Sequence, residues 1–262
     1  MLFKKKNLVI GLTVSDVAYL CVSVPALARL RRCFTLVIYN DYADCKISRR
    51  MVRSHGYRGR LHIINGAHSI GVLASRIEIV NYVRRHKIRS DWFMFIRDAN
   101  IVTGVSMPCV MQNNFAIIQN QITLRSGFID ALHLMCNSDA YQVDDTKTFL
   151  LRPYLGLSGT WVRSVVLYRT LDILHSILDK VYDIDVSLSY PAPVDMMMWS
   201  ALNIVARDFN AEYTPIYMDN VACVNIDLDS VSGVTGARIA RALSRYDNLV
   251  RLALDAEKNE QK

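Results

Sequence analysis

Hydrophobic positions along the first hundred residues fall into short unbroken runs, each followed by a stretch with helical spacing. Leu8 to Val14 (LVIGLTV) is one such run and predicts a buried strand. Ser15-Asp16 can cap the helix that follows, whose apolar side would carry Tyr19, Leu20, Val22, Leu27 and Leu30. Phe34 to Tyr39 predicts a second strand, closed by the turn chemistry of Asn40-Asp41-Tyr42-Ala43-Asp44. Ile47 to Ser54 reads as a basic helix that ends near His55-Gly56. Arg60 to Asn65 predicts a third strand and Gly66 to Gly71 a loop. Val72 to His86 predicts a helix with Ile77, Val80 and Val83 at helical spacing. Trp92 to Ile96 predicts a fourth strand that runs directly into Arg97-Asp98-Ala99-Asn100.

Such alternation implies an α/β fold: a mostly parallel, twisted sheet with helices on both faces. Ligands of these sheets bind beyond the carboxyl ends of the strands. Three polar clusters are expected at those ends: Ser15-Asp16, Asn40-Asp41 and Asp98-Ala99-Asn100. The second half of the chain is more mixed. Phe115 to Thr123 is β-rich, and Val162 to Leu178 reads as a helix. Pro191-Ala192-Pro193-Val194-Asp195 makes a rigid lead into a helix over Met196 to Arg207. Tyr213 to Met218 predicts a strand. From Gly236 onward, Ile239, Leu243, Leu249 and Leu252 predict a basic amphipathic helix with a frayed polar end. The expected organisation is one domain over 1–235, in two parts at 1–102 and 103–235 that the family resemblance given below would make a donor half and an acceptor half, followed by the helix and tail at 236–262.

Composition narrows the class. The chain has 262 residues, 52% of them hydrophobic and 21% charged, which is globular rather than disordered composition. Lys4-Lys5-Lys6 precedes only a short apolar run with no small-residue cleavage site, which argues against a signal peptide. No apolar stretch is long enough to span a bilayer. The expectation is a cytoplasmic protein. The six cysteines lack any CxxC pairing and are expected to be free buried thiols. The net charge of +7 leaves several readings open: a solvated surface, peripheral contact with the inner face of an anionic membrane, or attraction to a diphosphate substrate. Nucleic acid is the least favoured partner, because no reading motif is present.

The chemistry concentrates at Trp92 to Asn100. A carboxylate at a strand end can face a bound ligand, and Asp-x-Asp there holds a divalent cation against a diphosphate. The four segments resemble the donor half of the family 2 glycosyltransferases, which have the Rossmann-like GT-A fold. Leu8 to Val14 is similar to that family's opening strand, and Phe34 to Asp44 to its second strand and acidic end. Gly71-Val72-Leu73-Ala74-Ser75-Arg76 is similar to its helix start, and Trp92 to Asn100 to the strand before its Asp-x-Asp. Beyond residue 102 the likeness weakens, and beyond 220 there is none.

The resemblance implies transfer of a sugar, with inversion, from a nucleotide-diphosphate donor to a hydroxyl of a glycan or lipid-linked acceptor. It implies donor contacts from Thr13, Ser15, Asp41, Arg76, Arg97, Asp98 and Asn100, with Asp41 at the base and Arg76 near the base or diphosphate. It places Mn²⁺ or Mg²⁺ on Asp98 and Asn100. Asp195 stands at the position of the catalytic base, and Gly159, Thr160 and Trp199 would line the acceptor side. Several positions depart from the pattern. Asn100 is a neutral ligand where the second acid is usual. Arg97 adds a cation beside Asp98, and Asp195 lacks a preceding acid. Three variants stay open: a weak metal site, a metal-independent transferase whose arginines clamp the diphosphate, or a non-catalytic relative that binds a nucleotide or a partner. A basic protein that binds membranes or nucleic acid is a further alternative.

Overall fold

Each predicted hydrophobic run of the first half becomes a strand, and the strands lie side by side in one sheet. The computed structural model describes residues 7–30, 34–42, 44–98, 100–102, 117–123, 159, 161–187, 201–202, 204–205, 216–225, 248–256 and 258–259. β1 is Leu8–Val14 and leads through a 3₁₀ turn, Val17–Tyr19, into α1, Leu20–Ala28. β2 (Thr35–Asn40), α2 (Arg49–Ser54), β3 (Arg60–Asn65), α3 (Gly71–Arg85) and β4 (Trp92–Arg97) follow. β5 (Asn100–Val102), β6 (Ile117–Thr123), β7 (Trp161–Arg163), α4 (Ser164–Ser187) and β8 (Ile216–Asn225) complete the described elements, with further helical residues at 201–202, 204–205 and 248–256.

The strand order is β3-β2-β1-β4-β7-β6-β8-β5. β1 to β4 are mutually parallel, and Thr13 sits in register with both Tyr39 and Arg97. β7 runs antiparallel to β4 and β6, β6 and β8 are parallel, and β5 runs antiparallel to β8. The parallel part is therefore the sheet that the alternation implied, and the second half adds the mixed strands.

The parallel strands are hydrophobic without interruption because both of their faces are covered. Alternate side chains sort into two cores. Val9, Val37, Phe93 and Phe95 point toward α3 and α4, where Ile79, Val80, Leu167, Leu171 and Leu174 meet them. Ile10, Leu12, Leu36, Ile38, Met94 and Ile96 point toward the other face, where Leu20, Val24 and Leu27 of α1 and Val52 of α2 close the layer. Gly11 permits the close approach of α3. A Cβ there would stand 3.1 Å from both Ile79 Cγ2 and Phe95 Cδ1.

Four sequence expectations need correction. Trp161 to Arg163 is a strand rather than the start of the following helix. Trp161 and Val162 bury against opposite cores, which is the period of a strand. The helix behind it begins at Ser164 and runs to Ser187, beyond the expected end. In the last helical segment Val250 and Leu254 lie in the first core and Leu249 packs against it, whereas Leu252 is 65% exposed. The apolar stripe is thus one position out of the expected phase, and its target is the protein's own core. Finally, Cys21 is a free but exposed thiol, because α1 buries Leu20, Ser23, Val24 and Leu27 and turns Cys21 outward. Cys45 is free and half-buried. Among the described residues no helix is long and apolar enough to cross a membrane.

Gly11→Val should overpack the contact between α3 and the sheet. The expected loss is about 1–3 kcal/mol of unfolding free energy, read from urea denaturation. Unchanged stability would mean that α3 does not rest on Gly11.

Candidate functional site

The carboxyl ends of β1, β2 and β4 meet at one rim of the sheet. There the ladder continues past the strands, since the Asp98 N–H donates to Thr13 O (3.0 Å) and the Asp41 N–H donates to Val14 O (2.8 Å). A chain leaving a strand end exposes backbone N–H groups that must find acceptors. Two carboxylates supply them. Asp98 Oδ2 accepts from Ser15 N and Asp16 N, both at 2.7 Å, and the Ser15 hydroxyl lies 3.0 Å from the same oxygen. Asp41 accepts from Ile70 N (2.7 Å), Gly71 N (3.2 Å) and the Ser69 hydroxyl (3.0 Å). Asp98 thus ties the end of β4 to the turn after β1, and Asp41 ties the end of β2 to the start of α3. Gly71 has φ +81°, the left-handed region that favours glycine, which lets its N–H turn toward Asp41.

The three polar clusters read from the sequence are therefore at one rim, as expected, but their carboxylates face the protein rather than open space. Asp98 is 1% exposed and Asp41 is 7% exposed. Arg76 is wholly buried, and its guanidinium carbon lies 5.6 Å from the centroid of the Phe95 ring, where it braces α3 against β4. Asn100 is also buried, and its Oδ1 accepts from the Arg97 N–H at 2.8 Å. Ser15 is exposed and Arg97 is half-buried, so these two have the access that a ligand contact needs. Thr13 is buried beside them, and among the described residues its hydroxyl has no hydrogen-bond partner. Gly159, expected on the acceptor side, is buried and donates to Phe95 O at 2.9 Å. Asp195, Thr160 and Trp199 lie outside the described residues.

A divalent cation does not fit Asp98 and Asn100 in this arrangement. Asp98 Oδ2 already accepts two backbone N–H groups, Asn100 Oδ1 is engaged by the Arg97 N–H, and the Arg97 side chain is itself a cation. Among the described residues no group of three or more His, Cys, Asp or Glu is placed to hold a metal.

Several rim residues carry no signal that the sequence alone displays. Asn40 donates to Cys45 O (2.6 Å) and Asn65 Oδ1 (3.0 Å), and Asn65 Oδ1 also accepts from Ile47 N (2.8 Å). These bonds hold the loop between β2 and α2. The Tyr39 hydroxyl is held above its ordinary range, first by burial and then by the charges of Asp41 and Glu78, so it stays neutral. At the far rim, Asp91 accepts from Asn7 N (2.7 Å) and Asn7 Nδ2 (3.0 Å), so β1 and β4 are also tied at their starts. The one open depression described, about 450 Å³ and lined by Ser90, Ser164, Tyr168 and Arg169 among others, is at that far rim and not at the strand ends.

His62, read as structural, lies half-buried on β3 with Nδ1 3.4 Å from the Tyr82 hydroxyl. Burial lowers its pKa, and Arg49 and His86 lower it further. The folded protein therefore binds a proton at His62 less readily than the unfolded chain. Its contribution is complete above about pH 6.5 and is lost as pH falls through the lower folded value. His62→Gln should flatten the acid limb of a stability–pH curve below about pH 6.5. An unchanged acid limb would remove His62 from that dependence.

Asp98→Ala should cost about 2–4 kcal/mol, because two backbone donors lose a charged acceptor. Amide exchange at Ser15 and Asp16 should speed up more than in the strand interior, which is the readout specific to the tie. Equal protection in the variant would show that Asp98 does not hold the turn.

No protein-family model matches the chain, and a comparison with curated protein sequences yields no match. Solved structures do match. A structure of S. aureus TarS in complex with UDP-GlcNAc superposes with a TM-score of 0.58 at 11% identity, over 92% of this chain and 66% of that one. TarS in complex with UDP gives 0.56 at 12% identity, over 95% of this chain and 65% of the other. A longer TarS structure gives 0.55 at 11% identity, over 94% of this chain and 43% of its own length. The chain spans under two thirds of each of these proteins, and what it shares with them is a glycosyltransferase-like α/β fold with a mostly parallel central sheet.

Proposed function

We propose that this chain is a nucleotide-sugar transferase whose donor lies across the carboxyl ends of β1 and β4. The observation that carries the reading is the rim itself. An orphan Thr13 hydroxyl, the half-buried Arg97 in register with it, and the exposed Ser15 converge where Asp98 and Asp41 fix two loops. Buried polar atoms are rarely left unpaired without a reason, and a ligand oxygen would satisfy Thr13. The likeness of fold to structures that hold UDP and UDP-GlcNAc supports a nucleotide-sugar as the donor.

In this reading the roles divide by access. Asp98, Asp41 and Arg76 shape the rim, with Asp41 nearest the base. Arg97 faces the diphosphate, where a fixed guanidinium stabilises charge developing on the leaving group. Asp195 is proposed as the base that takes the proton of the acceptor hydroxyl as its oxygen attacks the anomeric carbon in line, with inversion. Gly159, Thr160 and Trp199 are proposed for the acceptor side. The acceptor is a glycan or a lipid-linked saccharide. A second reading, nucleotide binding without transfer, draws on Asn100 standing in place of a second acid with its oxygen engaged by the Arg97 amide.

UDP or a UDP-sugar at about 100 times its Kd should raise unfolding free energy by about 2.7 kcal/mol, visible as a rise in Tm. EDTA should leave that rise unchanged. Arg97→Ala should weaken donor binding about 10- to 100-fold, the loss expected for a charged hydrogen bond. Asp195→Ala should keep donor binding and abolish transfer. Binding without turnover in the unaltered protein would favour the second reading, and no binding of any UDP-, GDP-, CMP- or dTDP-sugar would remove both.

A further inference from the structure

Between Cys45 and Ile77 the chain carries no Asp or Glu, while Lys46, Arg49, Arg50, Arg53, Arg58 and Arg60 crowd the first half of that stretch. The fold lays this stretch along α2, the turn behind it and β3. β3 is the outermost strand of the sheet and pairs with β2 alone. Lys46, Arg49, Arg50, Arg58 and Arg60 are exposed. Among the described residues none of these five forms an ion pair, and the pairs that are present, Arg84–Asp172 and Arg85–Glu78, involve other elements. Arg53 instead donates to Tyr57 O (2.8 Å) and Gly59 O (2.9 Å), which fixes the turn that carries Arg58 and Arg60. α2 is only about 9 Å long at 1.5 Å per residue. Neighbouring cations on it therefore lie within about one Debye length and act on a partner together.

The partner must be polyanionic, and the neighbours of these cations indicate which kind. Tyr57 lies among them but is 3% exposed, and its hydroxyl is bonded to Phe34 O and Arg60 O, so it offers no face on which a base could stack. Met51, flanked on α2 by Arg50 and Arg53, is only half-buried, whereas Ile63 and Ile64 turn to opposite faces of the sheet and pack against the two cores. A partly exposed apolar side chain set among cations suits the headgroup layer of a bilayer. It gains nothing from a phosphodiester backbone in water.

We propose that the α2–β3 edge docks on an anionic lipid bilayer, with its exposed cations among the headgroups. The surface lies at the outer edge of the sheet, two strands away from β1, and does not depend on the donor reading. Docking there holds the protein at a membrane whether or not a nucleotide is bound.

Co-sedimentation with vesicles tests this. The protein should bind phosphatidylcholine vesicles containing roughly 30% phosphatidylglycerol, ignore pure phosphatidylcholine, and dissociate as salt is raised. Each basic residue near such a surface strengthens binding about fivefold, so Arg49→Ala/Arg50→Ala should lower the partition coefficient about 25-fold. The lysine pair Arg49→Lys/Arg50→Lys should retain binding, and an unchanged Tm in both variants shows that they fold. Equal binding to neutral vesicles would overturn the proposal, as would an alanine pair that binds like the unaltered protein. So would tighter, Arg49- and Arg50-dependent binding to RNA at equal phosphate concentration.

Discussion

Backbone N–H groups at the ends of a parallel sheet are obliged to find acceptors, and three aspartates meet that obligation here. Asp98 serves the turn after β1, Asp41 serves the first turn of α3, and Asp91 serves the start of β1. A carboxylate taken out of water is costly unless its lone pairs are filled by donors. At Asp98 and Asp41 the backbone fills them, so charge burial and loop ordering are settled in one contact. The rim then has a fixed shape before any ligand arrives, and that pre-ordering is what a binding site at this position requires.

The division of labour at the rim follows from the same constraint. Residues whose oxygens are committed to the backbone hold geometry, and those that keep access or an unfilled hydrogen bond are left for recognition. Thr13, Ser15 and Arg97 belong to the second group. All three sit on β1 or β4 or immediately after, the two strands tied together at both ends. In the proposed reading Arg97 supplies the positive charge at the diphosphate, and the oxygen of Asn100 is engaged by the Arg97 N–H.

Much of the parallel sheet was legible because strands buried on two faces write continuous hydrophobic runs, and the amphipathic helices between them write a different period. Leu8–Val14, Arg60–Asn65 and Trp92–Arg97 fall where those runs predict. Trp161 to Arg163 was not legible. Three residues are too few to show a period, and their strand identity comes from pairing with Phe93 and Met94, some seventy residues away. The place of the three polar clusters was legible for the same reason as the strands, since polar residues directly after a buried run must sit at its end. The role of Asp98 was not. A sequence shows a carboxylate at a strand end but not which donors surround it, and Ser15 N and Asp16 N reach it across 83 and 82 positions. The tie from Asp41 to Ile70 was hidden in the same way by the 29 positions that separate them.

The open side of β3 carries one more consequence. A strand with one unpaired row of amides and carbonyls is a template on which another chain can grow. Arg58 and Arg60 are exposed where β3 begins, and cations on an outer strand disfavour such growth. Among the described residues no other strand pairs with that edge, so these charges are what an approaching sheet would meet first.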